Sequence, residues 1–159
     1  MTNNAHHEAD LGGFTVAAAR AYAQRGRLEA WIHAYLLGGE WANAPLSSGL
    51  KLQRRWWRGP IEVNLDAVKR CCGPEREMEF RVDAAAWATR THVLAQGFER
   101  LEAIPPLIAE YRDGVLSVRD GNHRHEAIRR KGWQTCWVII WYNSESDFTQ
   151  DAGRTRSLE

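Results

Sequence analysis

The sequence predicts an α+β fold, in which a small mixed sheet has flanking helices and a helical N-terminal extension. Apolar residues recur every three to four positions between residues 15 and 37, which is typical of amphipathic helices. Residues 107–118 form two strand-like runs around Asp113-Gly114, a dipeptide that supplies the positive φ of a tight hairpin turn. The β-branched and aromatic run 135–142 predicts another strand beside that hairpin. Helices and strands grouped in this way favour the α+β class.

The first part of the chain is predicted to be mainly helical. Gly26 divides residues 15–37 into two helices, and Gly38-Gly39 ends the second one. Residues 41–59 lack clear periodicity and contain several turn-forming residues, so we expect a loop around a short helix near residues 50–57.

The middle of the chain is predicted to contain a short strand and a long helix. Residues 61–65 alternate between apolar and polar side chains, as a strand would, and Asp66 can cap a helical turn that reaches Arg70. The long helix covers residues 81–101, with Asp83 at its start.

The length of 159 residues fits one domain with a substantial core. We expect that domain at residues 14–143, between polar flexible tails at residues 1–13 and 144–159. The 21 basic and 20 acidic residues leave a net charge of +1, which excludes a global field that attracts nucleic acid or anionic membranes.

The composition also indicates the compartment. The sequence has no apolar run of about 18 residues and no secretory leader, so we expect no membrane contact and a cytoplasmic location. Its three cysteines, two of them adjacent, match neither a disulfide framework nor a CxxC zinc spacing, and we expect them to be reduced.

The segment 118–127 is the most informative part of the sequence, because a strand end, a glycine turn and a helix start fall within ten residues. Gly121 allows a sharp turn, and Asn122 is a favoured N-cap for the helix that follows. The free N–H groups of the first helical turn lie beside the Arg124 guanidinium, and this combination binds phosphate or carboxylate groups. The sequence therefore predicts a phosphate site formed by Gly121, Asn122, His123 and Arg124.

This pattern also has a purely structural interpretation, since capped turns between a strand and a helix are frequent in proteins that bind no ligand there. Six polar or charged residues between positions 120 and 126 are more than a cap requires, which favours a ligand site. Asp120 is the candidate catalytic residue, because a carboxylate beside the turn can hold Mg²⁺ or accept a proton. Its alternative role is to cap the turn through its own hydrogen bonds.

Two neighbouring patterns favour structural roles. His123 and His125 point about 200° apart on a helix, so we predict no metal site from them. Glu126 is placed to pair with Arg129 or Arg130 rather than with a ligand.

A second candidate site is the basic, tryptophan-rich segment 51–58. Cations interleaved with aromatic rings suit nucleic-acid binding, although an amphipathic helix with solvated arginines explains the same pattern. In this alternative the protein is a non-enzymatic module that binds nucleic acid or a partner protein through the segment. The nucleic-acid contacts would be Lys51, Arg54, Arg55 and Arg58.

From about residue 82 to residue 142, the chain resembles the ParB/sulfiredoxin-type domain, also known as the ParB-like nuclease domain. The family has a helix ending in glycine, a Pro-[Leu/Ile]-Ile strand, a hairpin, and a Gly-x-x-Arg-x-x-Ala turn and helix before a last strand. The corresponding pieces of this chain, in the same order, are Gly97, Pro106-Leu107-Ile108, Gly114 and residues 121–127.

The resemblance implies nucleotide binding, because this turn holds CTP phosphates in the ParB branch and ATP in the sulfiredoxin branch. The expected ligand is a nucleoside triphosphate or diphosphate (CTP, ATP or ADP) or another phosphorylated small molecule, with Mg²⁺ if phosphotransfer or hydrolysis follows. Gly121 and the N–H groups of Asn122 and His123 would contact the phosphates, and Arg124 would neutralise them.

The resemblance also sets limits on the expected activity. Asn122 stands where sulfiredoxin has its reactive cysteine, so sulfinic acid reduction is not expected. The sequence continues for about seventeen residues after its last predicted strand, without the helix-turn-helix of partition proteins, so a complete partition protein is not expected. A homodimer is one alternative use of the apolar stripe around Trp31 and Tyr35, and a buried core face is the other.

Overall fold

The computed structural model describes residues 13–38 and 42–154. The helices of this part of the chain are α1 (Val16–Gln24), α2 (Leu28–Leu37), α3 (Ala44–Leu50), α4 (Ala84–Gly97), α5 (Asn122–Arg130) and α6 (Glu145–Ala152). The strands are β1 (Trp56–Asn64), β2 (Val68–Arg70), β3 (Cys72–Gly73), β4 (Phe80–Arg81), β5 (Leu107–Arg112), β6 (Val115–Asp120) and β7 (Thr135–Tyr142). Within these ranges, no helix combines the length and the apolar character that a bilayer span demands.

Five strands form one mixed sheet in the order β1-β7-β5-β6-β2. β1 pairs antiparallel with β7, and β5 pairs antiparallel with β6, whereas β7 runs parallel to β5 and β2 runs parallel to β6. Asp113 and Gly114 have φ angles of 53° and 81°, which confirms the predicted hairpin turn. β3 and β4 form a separate two-stranded ladder. The mixed sheet with flanking helices confirms the predicted α+β class.

Apolar side chains pack against both faces of the sheet. On one face, α1, α2 and α3 cover Ile108, Ile139 and Trp141. On the other face, α5 packs Ile128 against a cluster that includes Val138. Because successive residues of a strand point to opposite faces, β5 and β7 contribute to both clusters. The helices of the N-terminal extension therefore pack on the same sheet that contains the hairpin, on the face opposite α5.

Two predictions for the first half of the chain are corrected by strand pairing. The expected helix at residues 50–57 is wrong, because α3 ends at Leu50 and Trp56 begins β1. Trp56 pairs with Tyr142 of β7. The pairing of this aromatic strand with β7 outweighs the helical pattern of the local sequence. The expected helical turn up to Arg70 is replaced by a 3₁₀ turn and by β2, which is held by its parallel pairing with β6.

The predicted flexible tail at residues 144–159 is wrong for residues 145–152, which form α6. Asp151 in this helix is 0% exposed. The Tyr142 hydroxyl donates a hydrogen bond to the Asp151 carboxylate, and Arg58 Nη1 lies 3.9 Å from it. The buried Asp151 side chain thus holds α6 against β1 and β7, although the sequence of this helix is mostly polar. Residues 1–12 of the predicted N-terminal tail and residues 155–159 lie outside the described part of the chain.

We expect Asp151→Ala to lower the free energy of unfolding by about 2–4 kcal/mol, since it leaves the Tyr142 hydroxyl and the Arg58 charge without their buried acceptor. Urea denaturation followed by circular dichroism measures this change. Gln150→Ala, on the exposed side of the same helix, is the matched control and should stay within about 0.5 kcal/mol of the parent protein. Equal stability of the two variants would show that α6 does not dock through Asp151.

Candidate functional site

Helix α5 begins at a glycine in a left-handed conformation. Gly121 is the N-cap residue and has φ 103° and ψ 23°. The expectation that Asn122 is the N-cap is therefore wrong, because Asn122 is already the first helical residue. Four other helices have a capping side chain, supplied by Thr15, Asn43, Asp83 and Ser144. Gly121 has no side chain, so it gives no such cap to the first N–H groups of α5.

The side chain of Asn122 connects α5 to the segment that follows β2. Its Oδ1 accepts hydrogen bonds from the backbone N–H groups of Cys71, at 2.9 Å, and Cys72, at 3.2 Å. Its Nδ2 donates to the Val118 carbonyl oxygen at 3.2 Å. The amide is thus committed to holding the backbone, and Asn122 is left with its own N–H group as a contact for a ligand.

The Arg124 side chain is buried, with 4% of its surface exposed. Its Nη2 donates to the Pro106 carbonyl oxygen at 3.0 Å and to Asp120 Oδ2 at 3.3 Å. Its Cζ lies 5.7 Å from the centre of the Tyr35 ring. These contacts fix the plane of the guanidinium from three sides.

Asp120 is at the end of β6 and accepts hydrogen bonds on both carboxylate oxygens. Oδ2 accepts from the Tyr35 hydroxyl at 2.8 Å as well as from Arg124, and Oδ1 accepts from Asn43 Nδ2 at 3.3 Å. The Asp120 side chain is 10% exposed. Three donors from three parts of the chain therefore surround the residue that the sequence offered as a catalytic candidate.

His123 lies on α5 between an aromatic ring and several cations. Its ring centre is 4.4 Å from that of Trp87. The Arg70 guanidinium carbon, Cζ, also lies 4.9 Å from the centre of the Trp87 ring. Burial, followed by the charges of Arg90, Arg124 and Arg70, lowers the pKa of His123 from 6.5 to about 4. The imidazole is therefore neutral at pH 7 and lies in a positive field.

A cavity of about 160 Å³ borders the start of α5. Residues 120–124 line it, which brings together all five site residues predicted around the turn, and Asn43, Ala42, Leu94 and Arg90 complete its wall. Sequence reasoning missed Arg90 as a site residue. The sequence contained a signal for Arg90, because Arg90 and Leu94 are four positions apart on α4 and so lie on the same face of that helix. Asn43 gave no local signal.

His125 and Glu126 point away from this cavity. His125 Nε2 is 3.2 Å from the Leu65 carbonyl oxygen and 2.9 Å from that of Val68. Glu126 accepts hydrogen bonds from Arg129 and Arg130, which confirms the predicted pairing. In the described ranges there is no group of three or more histidine, cysteine or acidic residues arranged to hold a metal ion.

The four cations of the alternative nucleic-acid site have different surroundings. Lys51 and Arg54 are exposed. Arg55 donates to the carbonyl oxygens of Leu50, at 3.2 Å, and Gly49, at 3.1 Å. Arg58 faces Asp151 in α6. Two of the four cations, Arg55 and Arg58, are thus used inside the fold, and the contacts do not favour this segment as a nucleic-acid surface.

Comparisons with known proteins give structural neighbours only. No protein-family model matches the chain, and no curated protein matches it. It is similar in structure to sulfiredoxin from Arabidopsis thaliana, with 19% identity over 59% of this chain and 97% of that chain and a TM-score of 0.35. It is also similar to the C-terminally truncated chromosome-partitioning protein ParB from Caulobacter crescentus complexed with CTP-gamma-S, with 13% identity, 63% coverage of this chain and a TM-score of 0.36.

The chain spans about half of that ParB chain (54%). The two neighbours represent the two branches of the ParB/sulfiredoxin-like fold that the sequence motifs resemble. A likeness of this degree concerns the fold alone.

We expect Gly121→Ala to destabilise the protein by about 2–4 kcal/mol, since the new Cβ combines backbone strain with collisions. It would lie 2.7 Å from Leu107 Cδ2 and 2.8 Å from Arg124 Nη2. Gly132→Ala is the matched control, because Gly132 has φ 77° and open space around a Cβ. It should cost about 1 kcal/mol, from strain alone. Thermal and urea unfolding of both variants test this, and equal losses would contradict the close packing at Gly121.

Proposed function

We propose that the protein binds a nucleoside triphosphate or diphosphate through its phosphate groups, at the start of α5. The observation that carries the proposal is the convergence of a helix start without a capping side chain, the Arg124 guanidinium and the Arg90 side chain on one small cavity. Helix N–H groups and guanidinium groups are the usual protein partners of phosphate oxygens.

The size of the cavity supports a phosphate group as its occupant. Sites that enclose a drug-sized molecule have volumes of roughly 300–1,000 Å³, and this cavity has about 160 Å³. A phosphate group would enter it, and the nucleoside would remain outside.

The charge of the cavity supports an anion. Arg90 and Arg124 contribute two positive charges to its wall, Asp120 contributes one negative charge, and His123 is neutral because its pKa is lowered to about 4. The wall therefore has a net charge of about +1 near neutral pH, before the partial charge of the helix start is added.

Asp120 does not fit as a ligand for Mg²⁺. Both of its oxygens already accept hydrogen bonds, from Tyr35, Asn43 and Arg124. A magnesium ion bound by this carboxylate would compete with those three donors for its oxygen lone pairs. The proposal is therefore one of binding, and the contacts of Asp120 favour a structural role over that of a proton acceptor in phosphotransfer or hydrolysis.

We expect purified protein to bind ATP, CTP or ADP in calorimetric titrations with and without Mg²⁺. Arg124→Ala should weaken binding by about a hundredfold, since it removes a buried charge that faces the phosphates. Arg90→Ala should weaken it by a factor of about three, because Arg90 is exposed and screened.

Arg100→Ala is the matched control for Arg90→Ala. It removes the same charge from an exposed position outside the cavity wall, and binding should be unchanged. Nucleotide binding that survives Arg124→Ala in a folded protein would contradict the proposed site.

Binding of a dianion should become tighter as the pH falls from 7 to about 5. The pKa of His123 lies near 4 in the unliganded protein, below its ordinary value of 6.5, so lowering the pH through this interval reduces the free energy of unfolding. A bound anion raises the pKa of the imidazole beside it and takes up a proton. Sulfate is a suitable probe because it stays dianionic over this range.

His123→Gln removes the titrating group and keeps a neutral polar side chain. Its sulfate affinity should vary less with pH than that of the parent protein, as measured by calorimetry at pH 7, 6 and 5. The same pH dependence in both proteins would show that His123 is not adjacent to the bound anion.

A further inference from the structure

The helical N-terminal extension contacts Asp120, in the wall of the cavity, through one fully buried tyrosine. Tyr35 of α2 is 0% exposed, and its hydroxyl donates to Asp120 Oδ2 at 2.8 Å. The ring is stacked on Trp31 with centres 5.2 Å apart, and the edge of Phe14 packs at 5.5 Å. Burial raises the pKa of the Tyr35 hydroxyl above its usual range, so the group stays a hydrogen-bond donor. The aromatic contacts fix where that donor points.

The loop after α2 supplies a second donor to the same carboxylate. Asn43 Nδ2 donates to Asp120 Oδ1 at 3.3 Å, while Asn43 Oδ1 accepts from the N–H group of Leu46 as the cap of α3. The backbone N–H of Asn43 also donates to the Leu36 carbonyl oxygen at 2.7 Å. The start of α3 and the end of α2 thus fix the amide that holds Asp120.

These two donors determine how Asp120 meets Arg124. An aspartate and an arginine that face each other without competition form a bidentate pair, which draws the guanidinium onto the carboxylate. Here Oδ1 accepts from Asn43, Oδ2 accepts from Tyr35, and Arg124 Nη2 contacts Oδ2 at 3.3 Å. Arg124 remains one of the residues that line the cavity.

We propose that Tyr35 and Asn43 are positioning residues of the anion site, which act through Asp120 to hold the Arg124 guanidinium at the cavity. The inference rests on the proposed function. It gives the helical extension a role in binding, since that extension completes a site whose phosphate contacts all lie on α4 and α5.

Tyr35→Phe tests the inference, because it removes the hydroxyl and keeps the ring beneath Arg124. The matched control is Tyr142→Phe, which removes another buried tyrosine hydroxyl that donates to an aspartate, Asp151, outside the cavity wall. Both variants should lose a similar amount of thermal stability. Titration with pyrophosphate, at a temperature where both are folded, should show binding about tenfold weaker for Tyr35→Phe and unchanged for Tyr142→Phe.

A second readout separates positioning from a general loss of stability. In ¹⁵N-edited spectra, the side-chain Nε–Hε signal of Arg124, assigned from its loss in Arg124→Ala, should shift in unliganded Tyr35→Phe and stay in place in Tyr142→Phe. Asn43→Ala should shift the same signal.

The outcomes distinguish the two proposals. If the parent protein binds pyrophosphate and Tyr35→Phe binds it equally well with an unshifted Arg124 signal, the positioning inference is overturned and the proposed function stands. If the parent protein binds neither pyrophosphate nor any nucleotide, the proposed function falls and the inference falls with it.

Discussion

Arg124 is only 3% exposed, so its guanidinium has lost most of its hydration, and the rest of the site depends on how that loss is balanced. Removing such an ion from water costs several kcal/mol, which the protein recovers only through well-placed partners. Arg124 obtains them from three regions of the chain: the carbonyl of Pro106 before β5, the carboxylate of Asp120 at the end of β6, and the ring of Tyr35 in α2. The position of one side chain on α5 is thus fixed by the hairpin and by the helical extension together.

The wall of the cavity keeps a net positive charge. The Asp120 carboxylate offsets the charge of Arg124, and the hydrogen bonds that it accepts from Tyr35 and Asn43 come from neutral groups that leave this sum unchanged. Arg90 adds a cation from α4, and burial with the surrounding guanidinium groups keeps His123 neutral. The sheet contributes rigidity to this arrangement, because β5 and β6 are flanked by β7 and β2 and are packed on both faces.

The local sequence was sufficient to predict the structure wherever one segment determines its own conformation. The Asp113-Gly114 turn, the break at Gly26, the Asp83 cap and the start of α5 near Gly121 were all predicted from neighbouring residues. Prediction failed where distant partners decide the outcome. Trp56 is in a strand because β1 pairs with β7. Helix α6 forms in a segment that was expected to be a tail because Asp151 contacts Tyr142 and Arg58.

The site residues show the same difference between local and distant determinants. Residues 120–124 lie in one short segment, and their pattern was visible in the sequence. Tyr35 and Asn43 are 85 and 77 residues from the Asp120 carboxylate that they contact, and no local periodicity can reveal such a pair. Asn122 illustrates a subtler failure: its residue type suits a helix cap, but its amide binds the backbone of Cys71 and Cys72 and leaves the cap to Gly121.

The long separation between Tyr35 and Asp120 has a consequence for the order of events during folding. Closing a loop of 85 residues is entropically costly, and β1 cannot complete its ladder until β7 has been synthesised. The extension therefore packs only once the other half of the chain is present, and partly folded forms will lack the assembled cavity at the start of α5. A ligand that binds this cavity would bind the folded structure alone, and would stabilise it without guiding its formation.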